Sequence, residues 1–221
     1  MFISKNPFSN SGIKWGALLF LVAFNWQCAR TVQVDDIENI PVPTPADEAF
    51  ANVYSSLDGH WKGQFFIFQP KAVEARNDEI LYNLDRSIVQ SSKLAMVNSL
   101  VVDQFYESES PYFQKVKIID VYPETGEKVE SLGVNKVQDG KMWCVVRKPD
   151  ETIIHKGSMA GSNTIIWQRT EENPQRVEYF QETVLPNSYE IIGWGYYEGD
   201  DLSKMPRNWF YAQYQRSAEG Q

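Results

Sequence analysis

The chain has few of the residues around which most enzymes and metal proteins are built. It has two histidines, His60 and His155, and two cysteines, Cys28 and Cys144, among 221 residues. A His-rich metal site or a catalytic triad would have to use one or both histidines. Neither stands in a Ser, Cys or carboxylate motif of known catalytic spacing. The sequence therefore names no catalytic residue, no metal ligand and no cofactor. The two cysteines form no disulfide framework, and Cys144, inside the apolar stretch 142–146, reads as a small buried hydrophobe. Clustered bases are missing as well. The formal net charge is -8, and an acidic domain without a Lys/Arg cluster repels phosphate backbones, which excludes a nucleic-acid role. There is no Gly-rich phosphate-loop spacing around residues 193–199, so nucleotide binding is not supported.

A membrane-spanning run is missing too. Residues 1–15 are polar and carry Lys5 and Lys14, and residues 16–24 are an unbroken apolar run. A transmembrane helix needs about 20 apolar residues, so this run has the length of a signal-peptide core. It is followed by Trp26, Gln27 and Cys28. A cysteine directly after such a run resembles the acceptor of bacterial lipoprotein signals, which implies lipidation at Cys28 and a membrane-anchored product. The residues before the cysteine are normally small in that family. A plain secretion signal cut elsewhere and an uncleaved anchor therefore stay open. Residues 29–46 hold Asp35, Asp36, Glu38 and the alternate prolines Pro41, Pro43 and Pro45, the composition of an extended tether. The expected organisation is a lipoprotein-like signal over 1–28, a tether over 29–46 and one folded domain over 47–221, exported to the cell envelope.

What is abundant is aromatic. Aromatic residues make up 14% of the chain, a composition that favours strands. Phe50, Val53, Tyr54 and Leu57 fall at helical spacing after Asp47, which predicts a short N-terminal helix over 47–57 able to plug one end of a sheet. Ten β-rich segments follow: 61–69, 94–107, 113–122, 128–137, 141–148, 152–156, 164–170, 176–185, 189–197 and 208–216. Legible turns separate most of them, and Asp139-Gly140 is a strong hairpin signal. Strands joined by short turns, with no long crossover helix after residue 94, exclude a parallel sheet. The predicted fold is an all-β antiparallel meander, either a barrel or a sandwich. The long connection 70–93 is the one place for a helix or lid.

Gly59-His60-Trp61 opens the first strand, and Arg216 ends the last. This pattern resembles the lipocalin signature and that of the wider calycin superfamily. The resemblance implies an all-β, single antiparallel up-and-down β-barrel whose floor Trp61 closes, with Gly59 at its approach and Arg216 packed across its ring by cation–π attraction. A second, local similarity joins Asp103-Gln104-Phe105-Tyr106 and Pro111-Tyr112-Phe113-Gln114-Lys115-Val116 to T-type phycobilin lyases, also calycin barrels. It supports a barrel rather than bilin chemistry. The C-terminal half looks like uncharacterised lipocalin-like bacterial domains.

Five aromatic residues on five strands, Trp143, Trp167, Tyr179, Trp194 and Phe210, are the expected walls of a cavity for a small hydrophobic molecule. Glu178 and Glu182 share one face of a strand, read here as the solvent face, with Val177, Tyr179 and Thr183 pointing inward. Three functions fit such a barrel: a tethered module binding a hydrophobic ligand, an enzyme or lyase-like protein using His155, Glu182 or Arg169 in the same cavity, and a filled structural domain of the envelope.

Overall fold

The computed structural model describes residues 32–217. Two 3-10 turns, Pro45–Phe50 and Ser55–Leu57, precede the strands. The strands are β1 (Gly59–Pro70), β2 (Leu94–Ser110), β3 (Phe113–Val121), β4 (Lys128–Gln138), β5 (Lys141–Arg147), β6 (Thr152–Met159), β7 (Thr164–Glu172), β8 (Gln175–Val184), β9 (Ser188–Tyr197) and β10 (Asn208–Arg216). One helix, α1 (Asp78–Tyr82), lies in the β1–β2 connection. Each strand pairs antiparallel with its sequence neighbours, and β10 returns to β1, so the sheet is a closed up-and-down barrel. It has ten strands, whereas lipocalin barrels have eight. Among the described residues no helix is long and apolar enough to cross a membrane.

Local chemistry explains the meander. Asp139 and Gly140 both take positive φ, 54° and 67°, the conformation required by a two-residue turn that matches the twist of its strands. Gly193 sits where β8 and β9 approach closely, and a Cβ there would lie 2.4 Å from the Tyr179 carbonyl oxygen. Only glycine lets the sheet coil this tightly at that point.

The apolar residues divide into an interior cluster and two outer ones. The interior cluster includes Leu57, Trp61, Met142, Trp167, Tyr189 and Tyr214. The N-terminal turns close one end of it, with fully buried Leu57 and Tyr54 facing inward. Thr44 and Asp47 form a capping box there, with Thr44 as the cap and Asp47 as the third residue of the turn. The predicted continuous helix is broken into two tight turns. Asn52, at φ 62°, separates them.

The second cluster lies outside the barrel. Leu81 and Leu84 of the 71–93 connection cover Ile166, Tyr179, Ile192, Trp194 and Trp209. The third lies under the N-terminal segment, where Ile37 packs on Phe113, Val134 and Val145. Lys136, fully buried, donates from Nζ to the carbonyls of Gln33 (3.0 Å) and Asp36 (2.8 Å). The tether expected over 29–46 is thus docked on the barrel from residue 32 onward, because Ile37 supplies an apolar contact that proline spacing does not reveal. Cys28 and the rest of the signal expected over 1–28 lie outside the described residues.

Candidate functional site

Register decides which side chains meet inside. Trp61 opposes Arg216, Cys144 opposes His155, Gly157 opposes Trp167 and Phe180 opposes Gly193. Alternation from these pairs carries Phe65, Val116, Asn135, Glu182, Tyr189 and Tyr214 to the interior. There they line a cavity of about 230 Å³. Leu100, Ile118, Ile153, Phe180 and Ile191 give it apolar walls, and Asp120, Lys148, His155 and Cys144 also face it.

The floor is built from the predicted closing motif. The Arg216 guanidinium lies 4.3 Å from the centre of the Trp61 ring. It donates to the carbonyls of Asp58, Ser56 (3.1 Å) and Pro186 (2.9 Å). Gly59 has φ +116°, and a Cβ on it would come within 2.6 Å of Arg216 Nη1. The glycine therefore serves both the backbone and the guanidinium. The Trp61 indole donates to the Leu57 carbonyl at 2.6 Å, which ties the plug to the first strand. Above it Tyr54 stacks on Trp167 with ring centres 6.2 Å apart.

Burial sets the electrostatics. The Glu182 carboxyl is raised from 4.5 to about 7, chiefly because its anion is desolvated, with the Trp167 indole and Tyr189 hydroxyl offsetting part of this. Glu182 keeps some accessible surface although protein encloses it, and that surface is cavity wall. His155 is lowered from 6.5 to about 3, first by burial and then by the charge of Arg169. The Cys144 thiol is pushed far up by burial and by Glu182. Three polar atoms on residues of this wall have no hydrogen-bond partner among the described residues: Ser131 Oγ, Asn135 Oδ1 and His155 Nε2.

Towards the β7–β8 hairpin the interior ends in a charged lattice. Buried Arg169 reaches Glu171 at 2.8 Å, Glu151 at 3.2 Å and Glu178 at 3.6 Å. Tyr197 Oη donates to Glu178 at 2.9 Å. The His155 Nε2 to Glu178 distance is 3.9 Å, too long for a hydrogen bond. Among the described residues no group of His, Cys, Asp and Glu could hold a metal ion.

The five expected cavity aromatics are not brought together. Trp167 lines the cavity, and Phe210 faces inward against Phe180, ring centres 5.1 Å apart. Tyr179 and Trp194 face outward, stacked at 5.5 Å and 5° beneath the 71–93 connection. The Trp194 indole donates to the Leu81 carbonyl at 2.8 Å. Trp143 alternates with the interior residues Met142 and Cys144, so it too points outward, half-buried. The expectation of a single five-ring cavity fails because α1 and its flanks make the outer face of β8–β10 as apolar as an inner one. The parity of β8 is likewise reversed: Glu178, Phe180 and Glu182 point in, and Tyr179 points out. Glycine could have signalled this, since Gly193 and Gly195 take the inward positions of β9 and leave Trp194 to the other face. Sequence reasoning also missed Tyr106, Tyr189 and Tyr214, whose hydroxyls share the cavity end near Glu182.

No protein-family model matches the chain, and no curated protein matches it. Solved structures with a related barrel include EF1p2_mFAP2b bound to DFHBI, at 10% identity and TM-score 0.37, covering 76% of this chain and 99% of that one. A de novo designed fluorescence-activating β-barrel is similar at 11% identity and TM-score 0.35, covering 75% of this chain and 98% of its own.

Proposed function

We propose that this chain is a binding module, a lipocalin-like barrel that holds a small, mainly apolar molecule and is tethered to a cell-envelope membrane through its N-terminal segment. The observation that carries the binding reading is the 230 Å³ cavity, walled by Phe65, Leu100, Ile118, Phe180 and Ile191 and dotted with unpartnered polar atoms. Binding pockets combine apolar walls with a few converging polar groups in this way. A dry apolar cavity of about 150 Å³ accommodates benzene, so this one suits a single-ring or two-ring body, or a chain of similar bulk. A barrel serving only as a structural block would fill that space with side chains. The tether reading rests on the apolar run 16–24 followed by Cys28.

The enzyme reading, with His155, Glu182 or Arg169 at work in the same cavity, draws on His155 and Glu182 both facing the interior, with Cys144 opposite His155. Burial holds the thiol protonated and the imidazole uncharged. A nucleophilic pair needs the reverse, a thiolate beside an imidazolium, and burial disfavours both charged forms. Binding without turnover is the better fit.

Native mass spectrometry of the full-length protein, purified gently from a bacterial host, tests this. A reproducible extra mass that is lost on organic extraction is the expected result. A clean mass, with no change in tryptophan fluorescence across a panel of small hydrophobic compounds, would show a barrel that binds nothing inside. In the same host Cys28→Ser should move the protein from the membrane to the soluble fraction, and unchanged membrane association would remove the lipid anchor from the reading.

A further inference from the structure

The cavity contains an acid, Glu182, that forms no ion pair among the described residues. Glu182 stands on the inner face of β8, flanked in register by Ile165 on β7 and Ile191 on β9. The titratable groups that feel its charge are Cys144 on β5, Tyr106 on β2, Tyr189 on β9 and Tyr214 on β10. All four are weak acids held neutral by burial; on the same wall His155 is held uncharged, and the cation Lys148 acts on Asp120 and Glu151. Arg169, two strand positions away from Trp167 on β7, is committed to Glu151, Glu171 and Glu178. An enclosed carboxylate without a counter-charge is costly, and proteins normally pair it or keep it protonated.

Its surroundings suit a cation. Trp167, Tyr106, Tyr189 and Tyr214 supply aromatic rings around the same end of the cavity, and ring faces attract ammonium groups most strongly where water is excluded. Asn135 spends its amide N–H on Gln114 at 2.9 Å, which leaves Oδ1 as an unpartnered acceptor on the wall. Ser131 Oγ is also unpartnered. A ligand rich in N–H donors would meet acceptors here, whereas an anion would meet Glu182.

We infer that the barrel selects an organic amine with an apolar body, its ammonium paired with Glu182 among the tyrosine and tryptophan rings. This rests on the binding-module reading and specifies the ligand class. On binding, the ammonium takes the place of the carboxyl proton, which is released to solvent. Amine affinity should therefore rise as Glu182 ionises and should not change for a neutral compound of the same shape.

Calorimetric titration of the full-length protein with 2-phenylethylamine and with 2-phenylethanol tests this. At pH 7.5 the amine should bind at least tenfold more tightly than the alcohol. At pH 5.5 the amine should lose about that factor while the alcohol keeps its affinity. Glu182→Gln should bind both compounds equally at either pH. Equal affinities in the wild type, or an amine preference independent of pH, would overturn the amine inference and leave the binding module standing. If neither compound binds, nor any of the wider hydrophobic panel, both readings fall together. The wild-type pH series decides the matter even if Glu182→Gln does not fold.

Discussion

Arg216 joins the last strand to the plug and to the β8–β9 turn at the barrel floor. Its guanidinium lies over Trp61, and its N–H groups close three carbonyls, those of Asp58, Ser56 and Pro186. Those carbonyls belong to the plug and to the β8–β9 turn, so one residue joins three segments far apart in sequence. Removing it leaves acceptors without donors and strips a cation from an aromatic face. Arg216→Ala should therefore lower stability by about 2–4 kcal/mol in urea unfolding at constant slope. Arg216→Lys should recover only part of this, because one ammonium cannot span the same fork. A loss under 0.5 kcal/mol would mean that the plug is held by its apolar contacts alone.

At the scale of elements, the 71–93 connection decides how the outer surface is built. Its helix α1 has five residues, too few to be stable alone. Asn77 caps it, accepting from Glu79 N at 3.1 Å and Ile80 N at 3.3 Å. What holds it is the fully buried Leu81 side chain and the Trp194 hydrogen bond to the Leu81 carbonyl. Leu81→Ala should cost about 2–4 kcal/mol, the usual range for a buried leucine. It should also expose Trp194, seen as a red shift in tryptophan emission and faster protease cleavage within 71–93. Ligand affinity should stay unchanged, since this cluster lies on the opposite face of the sheet from the cavity. Altered binding together with the red shift would show that the two faces are coupled. The N-terminal segment behaves similarly: Lys136 and Ile37 dock it on β4, and neither contact follows from its proline spacing.

For the whole molecule, two buried groups shape stability against pH with opposite signs. Glu182 goes from 4.5 when unfolded to about 7 when folded, so the folded state binds the extra proton across that window and stability falls as pH rises through it. His155 goes from 6.5 to about 3, so the unfolded state binds the extra proton there and stability falls as pH drops through that window. The two slopes oppose one another where the windows overlap. The wild type should have a flat optimum between pH 4.5 and 6.5, declining on both sides. Glu182→Gln should gain on the order of 3 kcal/mol relative to wild type between pH 4.5 and 8, in chemical denaturation at each pH. A constant difference between the two proteins across that range would contradict a buried, cavity-facing Glu182.

The meander was legible in the sequence alone. Strand segments, their turns and the closing residues Gly59, Trp61 and Arg216 are local features, set by β-branched and aromatic runs, by Asp139-Gly140 and by one glycine beside a tryptophan. Those signals depend on neighbours along the chain, so they are legible without a fold. Inside against outside was not. Tyr179 and Trp194 read as interior because they are large and apolar, and Glu182 read as solvent-facing because it is charged. Only the tertiary structure decided otherwise. The connection 71–93 gave the outer face its own apolar cover, the glycines of β9 fixed the parity of the sheet, and the closed barrel turned Glu182 into a cavity of aromatic rings. Alternation says which residues share a face, but not which face is dry, and that depends on what the rest of the chain lays over it.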